Sequence, residues 1–127
     1  MAQGALGKMY KDGEDVVRQG EIGNCMYVIQ QGEAEVLLKK ADRMFCVTVL
    51  KEGDFFGEMA LFDREVRSAT VRAKGDMRVL TLEKTTFLRR IHEDPSLAFR
   101  MLEKMSRRIR DSNVLLNKAL GRRHTLR

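Results

Sequence analysis

Glu58 and Arg67 are separated by nine positions, at the two ends of a short glycine-led stretch. The first end reads Gly57-Glu58-Met59-Ala60-Leu61-Phe62 and the second Arg67-Ser68-Ala69-Thr70-Val71. A carboxylate and a guanidinium so placed suit a ligand that carries both a sugar hydroxyl and a phosphate. Glu58 can accept from the hydroxyl, and the planar fork of Arg67 can hold the phosphate through two parallel, charge-assisted hydrogen bonds. If Glu58 opens a helical turn, the backbone amides there favour the same anion. Gly57 removes a side chain that would keep a ligand off the backbone. Leu61 and Phe62 give the loop an apolar edge. The plainer alternative is a loop salt bridge between Glu58 and Arg67, which contributes little at a surface.

The elements that must position these residues are short apolar runs punctuated by glycine. Val16–Gln19, Cys25–Gln30, Ala34–Lys39, Phe45–Leu50, Ala69–Ala73 and Met77–Leu82 read as strands. Turn signals fall at Asp12-Gly13, Gly20-Glu21-Ile22-Gly23, Gln31-Gly32, Glu52-Gly53-Asp54 and Gly75-Asp76. In the fourth run Phe45, Val47 and Val49 alternate with Cys46, Thr48 and Leu50, which leaves its buried face undecided. Many short strands at close spacing predict an antiparallel β-roll or jelly roll over residues 8–83, and the lack of interleaved helices argues against a doubly wound sheet.

After Glu83 the period changes. Lys84–His92 predicts a short helix with Phe87, Leu88 and Ile91 on one face. Asp94-Pro95 supplies a cap and a first-turn proline for a long helix running to about Leu120, with Gly121 as its stop. Ala98, Leu102, Met105, Ile109, Ser112, Leu116 and Ala119 recur at alternating four- and three-residue steps. That is a coiled-coil type of seam, polar only at Ser112. The fold class is therefore mainly β with C-terminal α: the roll, a short helix and a long one over 84–120.

At 127 residues and 43% hydrophobic content, one domain spanning 1–127 with a real core is expected. No apolar run approaches the ~18 residues that cross a bilayer, and Met1–Gly7 lacks the pattern of a signal peptide. Cys25 and Cys46 sit in strand-like segments and read as buried free thiols, which suits a reducing cytoplasm. Charge is segregated. Residues 1–83 hold 12 Lys+Arg against 14 Asp+Glu, and residues 84–127 hold 12 against 4. A basic helical face can attract nucleic acid or an acidic partner. It lacks interleaved aromatics, however, so direct nucleic-acid binding is not the reading adopted. His92 and His124 are the only histidines, no nucleophile-elbow, Walker or zinc spacing occurs, and Glu33 and Glu35 read as solvated. Neither catalysis nor a metal is expected.

Phe55–Ala73, FFGEMALFDREVRSATVRA, closely resembles the phosphate-binding cassette of cyclic nucleotide-binding domains in both its GE-x-A-L and its R-S-A-T halves. The resemblance implies that Glu58 binds a ribose 2′-hydroxyl and Arg67 a cyclic phosphate. It also implies a ligand set that takes in Gly57, Met59, Ala60, Ser68 and Ala69. The layout from Arg67 to about Asn113 resembles the sensor half of regulators of the bacterial catabolite activator type. There the long helix gives a hydroxyl to the adenine, matched here by Ser112, and the next residue reaches the other subunit's ligand, matched by Asn113. A register-fixing polar residue is the other reading of Ser112. Arg108, one turn earlier, can reach Glu58 or the phosphate, or remain a solvated arginine.

Two departures stand out. The Glu58–Arg67 separation is one residue shorter than in the catabolite activator type and matches the cassette of protein kinase regulatory subunits. The chain also stops at Arg127, where a helix-turn-helix would begin, so the expectation is a sensor without that output. The implied ligand is cAMP, with cGMP the competitor because Ser68 follows the arginine. The implied partners are a second copy through the long helix and an unnamed downstream protein. The rival class is a dimerising interaction module with a vestigial pocket.

Overall fold

The computed structural model describes residues 7–62 and 65–121, so His124 and the basic tail lie outside the described residues. The chain divides into two compact units at Phe87/Leu88.

The first unit is the roll. Its strands are β1 (Lys8–Tyr10), β2 (Asp15–Val17), β3 (Ile22–Gly23), β4 (Cys25–Lys40), β5 (Arg43–Leu50), β6 (Phe55–Phe56), β7 (Glu65–Val66) and β8 (Thr70–Glu83). β4 and β8 form the spine, pairing antiparallel from Cys25↔Glu83 to Leu37↔Thr70. The sheet order is β1-β8-β4-β5, with β2 added to β8 and β6 to β4, while β3 and β7 make a separate two-stranded ribbon. Every pairing among the described residues is antiparallel, as the strand spacing predicts.

Two expected turns are not chain reversals. Gln31-Gly32 and Gly75-Asp76 lie inside β4 and β8, so four expected strands are two long ones. The register between them shifts on either side of Gln31. Gly32 has φ 91°, and a Cβ there would lie 2.5 Å from the Asp76 carbonyl oxygen. A bulge and a turn both use a positive-φ glycine, so the dipeptide alone does not separate them. Here the glycine lets two backbones approach within an unbroken strand pair.

The core forms from alternate positions of the spine and its neighbours: Val17, Ile29, Ala34, Leu50, Phe56, Val71, Ala73, Met77 and Val79. The undecided pattern of β5 reflects a strand exposed on both faces as far as Thr48, with Leu50 alone fully buried. It follows a two-residue hairpin turn at Ala41 (φ 54°) and Asp42 (φ 65°), closed by Lys40↔Arg43. Positive φ at both central residues is the type I′ signature, ordinarily filled by Asn-Gly. Both cysteines are free, but the expectation of burial fails for Cys46, which is exposed on β5, while Cys25 is half-buried.

The helices are α1 (Lys84–Glu93) and α2 (Ser96–Ala119). At the start of α2, Asp94 Oδ1 accepts from the Ser96 amide at 3.2 Å, and Pro95, in helical conformation, takes the cap position, one residue before the first turn where it was expected. Gly121, at φ 68°, ends it as expected, its amide bonded to the Lys118 carbonyl. No residue of α2 is buried. Leu102, Ile109 and Leu116 of the seam are more than half exposed, and so are Phe99, Val114, Leu115 and Leu120 beside it. No described helix is long and apolar enough to cross a membrane.

Candidate functional site

The first unit carries an open cavity of about 170 Å³ lined by Gly57, Glu58, Met59, Ala60, Val66, Arg67 and Ser68. Six of the nine residues singled out from the sequence therefore line one concavity. Ala69 follows immediately and is half-buried. Ser112 and Asn113 lie on exposed positions of α2, in the second unit.

Glu58 does open a helical turn. Glu58–Leu61 is a single 3₁₀ turn preceded by Gly57 in the left-handed conformation (φ 77°). The Ala60 amide bonds the Gly57 carbonyl, and the Phe62 amide bonds that of Met59. The turn buries Ala60 and Leu61 and leaves Phe62 75% exposed. Of the two residues at the loop's expected apolar edge, only Phe62 is therefore available to be covered.

Arg67 is the unusual member, since its side chain is only 8% exposed. Its backbone is clasped on both sides by the segment that reads as a turn in sequence: the Arg67 amide bonds the Glu21 carbonyl at 2.7 Å, and the Gly20 amide bonds the Arg67 carbonyl at 2.8 Å. This follows from the β3–β7 ribbon, Ile22↔Val66 and Gly23↔Glu65, which delivers the chain to Arg67. The guanidinium donates through Nη2 to the Cys25 carbonyl at 2.8 Å and through Nη1 to the Gly57 carbonyl at 3.3 Å. Its Cζ lies 5.6 Å from the centre of the Tyr27 ring, and Tyr27 in turn stacks on Phe56 at 5.0 Å with 16° between the planes.

Among the described residues no carboxylate lies within 4.0 Å of Arg67, so a loop salt bridge with Glu58 is not formed. Two neutral carbonyls and an aromatic face are what hold this buried cation among the described residues. Of five N–H donors on a guanidinium, the two bonded to these carbonyls leave others for a further acceptor. Beneath it, burial first, and then the neighbouring Cys25 sulfur 3.3 Å from the Tyr27 hydroxyl, push the Tyr27 phenol well above its ordinary value. Tyr27 thus stays neutral across the physiological range and presents an intact ring to the cation.

Sequence reasoning does not single out Gly23, Tyr27 or the Cys25 carbonyl. Their roles depend on where β3 and β4 run relative to Arg67, forty or more positions later, and no local motif carries that. Among the described residues no group of three or more His, Cys, Asp or Glu side chains is gathered as a metal site.

Between β6 and β8 the roll thus brings a glycine-led 3₁₀ turn and a buried arginine to one small cavity. The profile of the cyclic nucleotide-binding domain matches residues 8–94, and the chain belongs to that family. It is 48% identical over 81 residues to the cAMP-dependent protein kinase regulatory subunit of Schizosaccharomyces pombe, a match covering 64% of this chain and 19% of that protein. The chain spans about a fifth of the length of such curated relatives. Among solved structures, the catabolite activator protein of Thermus thermophilus superposes with a TM-score of 0.75 at 26% identity, covering 88% of this chain and 53% of that one. The regulatory domain of Toxoplasma gondii PKA, solved with cAMP, gives 0.61 at 32% identity, covering 76% and 38%.

Proposed function

We propose that this chain is a receptor module for a cyclic nucleotide, most favourably cAMP, and that its role is regulatory and not catalytic. In this reading Arg67 holds the cyclic phosphate and Glu58 the ribose 2′-hydroxyl. Gly57, Met59, Ala60, Ser68 and Ala69 complete the cassette, and Ser112 and Asn113 of α2 contribute to the base. The observation that carries it is the burial of Arg67 without a carboxylate partner among the described residues, beside a cavity. A buried cation with no carboxylate beside it among the described residues is costly, and an anionic ligand at the cavity would offset that cost. The relatives named for cAMP support that base, while similar solved structures hold either nucleotide: Toxoplasma gondii PKA with cAMP, and the EAL enzyme Bd1971 with cAMP and with cGMP.

Ligand binding draws the cassette inward and covers Phe62, and α2 is the two-state element whose position a partner reads. A ligand can shift such an equilibrium only by its differential affinity for the two states. Names of the kinase regulatory subunits support a kinase catalytic subunit as the partner class, and the apolar stripe of α2 supports pairing with a second copy. The cytoplasm is the compartment in which such a ligand and two free thiols fit together.

Calorimetric titration with cAMP and, separately, with cGMP tests this, on protein unfolded and refolded to strip any ligand. The expected result is micromolar or tighter binding, stronger for cAMP, that is lost in Arg67→Ala. Absence of binding by well-folded protein would favour the interaction module with a vestigial pocket. Turnover of either nucleotide by the purified chain would overturn the non-catalytic reading.

A further inference from the structure

We infer that Gly23 and Tyr27 are positioning residues for the Arg67 guanidinium, Gly23 by having no side chain and Tyr27 by offering a ring face. The consequence for affinity rests on the proposed function; the positioning itself does not.

Gly23 is the sharper case. A Cβ built at this position would lie 2.1 Å from both Cζ and Nε of Arg67 and 2.2 Å from Nη2. Its three nearest neighbours are thus all atoms of one guanidinium. Gly23 does not adopt the left-handed conformation, so alanine would be comfortable on the backbone. What an added methyl does is evict Arg67, and the displaced group is the far end of a flexible side chain. The fold therefore tolerates the change while the guanidinium leaves its place between the Gly57 and Cys25 carbonyls. Gly57 is a poorer probe. Its Cβ would lie 2.6 Å from Arg67 Nη1, but its φ of 77° adds backbone strain to any substitution.

Tyr27 supplies the opposite kind of constraint. It sits across from Phe56 in the β4–β6 register, which fixes the ring, and its hydroxyl is engaged by Cys25 Sγ rather than by Arg67. The ring face is therefore the part that serves the cation. A guanidinium held by two carbonyls and a ring keeps its remaining donors in a fixed orientation, and pre-organisation of that kind lowers the ordering needed when an anion arrives.

The test uses the full chain with Gly23→Ala, Tyr27→Phe, Tyr27→Leu, Arg67→Ala and the Gly23→Ala/Arg67→Ala pair. Three quantities are read: cAMP affinity, ligand-free Tm, and the Arg67 Nε–H signal in the ligand-free protein by nitrogen-15 NMR, assigned by its loss in Arg67→Ala. Gly23→Ala is expected to shift or broaden that signal and to weaken cAMP by about tenfold or more. Its Tm is expected to stay within about 2 °C of wild type. The paired variant is expected to bind no worse than Arg67→Ala alone, since the two changes remove one interaction. Tyr27→Phe should bind within about threefold of wild type, whereas Tyr27→Leu should lose about tenfold. An unmoved Nε–H signal in Gly23→Ala overturns the positioning role, as does a loss that adds in full to that of Arg67→Ala. If wild type fails to take cAMP while the signal still moves in Gly23→Ala, the ligand assignment falls and the positioning stands. Should Tyr27→Leu fail to fold, Gly23→Ala decides alone.

Discussion

The two units invert the usual partition of a soluble protein in opposite senses. In the roll a guanidinium lies inside, 8% exposed, without a counter-charge among the described residues. In α2 the large apolar side chains lie outside, Leu102 at 62% and Ile109 at 63%, and nothing is buried. Each arrangement is unfavourable by itself, since a buried charge has no counter-charge among the described residues and an apolar stripe faces water. The difference lies in what would relieve it: a small anion for the roll, and a second apolar surface for the helix. In the proposed function, the roll is completed by a ligand and the helix by a protein.

The largest effect expected is at the buried cation. Arg67→Ala should weaken cAMP by at least tenfold, with a cost of about 2–5 kcal/mol for losing a charged partner of a buried phosphate. Titration calorimetry reads it, and an unchanged affinity would break the comparison at its root. Next comes the stripe. Ile109→Asp places a carboxylate in the middle of the α2 seam and should convert a self-associating chain to monomer, measured by sedimentation with and without ligand. A wild-type chain that is monomeric in both conditions would remove pairing, and with it Asn113 as a contact across subunits.

Two smaller effects concern the frame and should leave affinity alone. Ala41→Asn relieves an alanine at φ 54° in the hairpin turn and should raise stability by roughly 0.5 kcal/mol in denaturant titration. Asp15→Asn should lower it by about as much at pH 7, because Asp15 Oδ1 accepts from Arg72 Nε at 2.7 Å in a pair only partly covered. That bond, helped by Arg18, holds the Asp15 carboxyl below its ordinary value of 3.8. A depressed folded-state pKa stabilises above the ordinary value, and the contribution fades as pH falls through the folded one. The acid limb of the stability curve should therefore be shallower in the variant. Altered cAMP affinity in either variant would mean the pocket is not insulated from its frame.

The turn was legible because its signal is local: the 3₁₀ turn Glu58–Leu61 forms where the glycine-led run predicts it. The helix ends were legible for the same reason, through Asp94-Pro95 and Gly121. What escaped depends on long-range geometry. The bulge at Gly32 mimics a turn because both use positive φ, and Cys46 looks buried because edge strands carry the same residue types as central ones. Gly20 to Gly23 reads as punctuation, and only the β3–β7 pairing shows that it clasps Arg67.

The clearance at Gly23 also has a meaning for descent. If an added methyl at Gly23 displaces the guanidinium and leaves the roll intact, a single codon change there could switch off anion binding without unfolding the protein. A related domain that keeps the arginine but carries a side chain at the equivalent of Gly23 is then expected to bind its ligand more weakly.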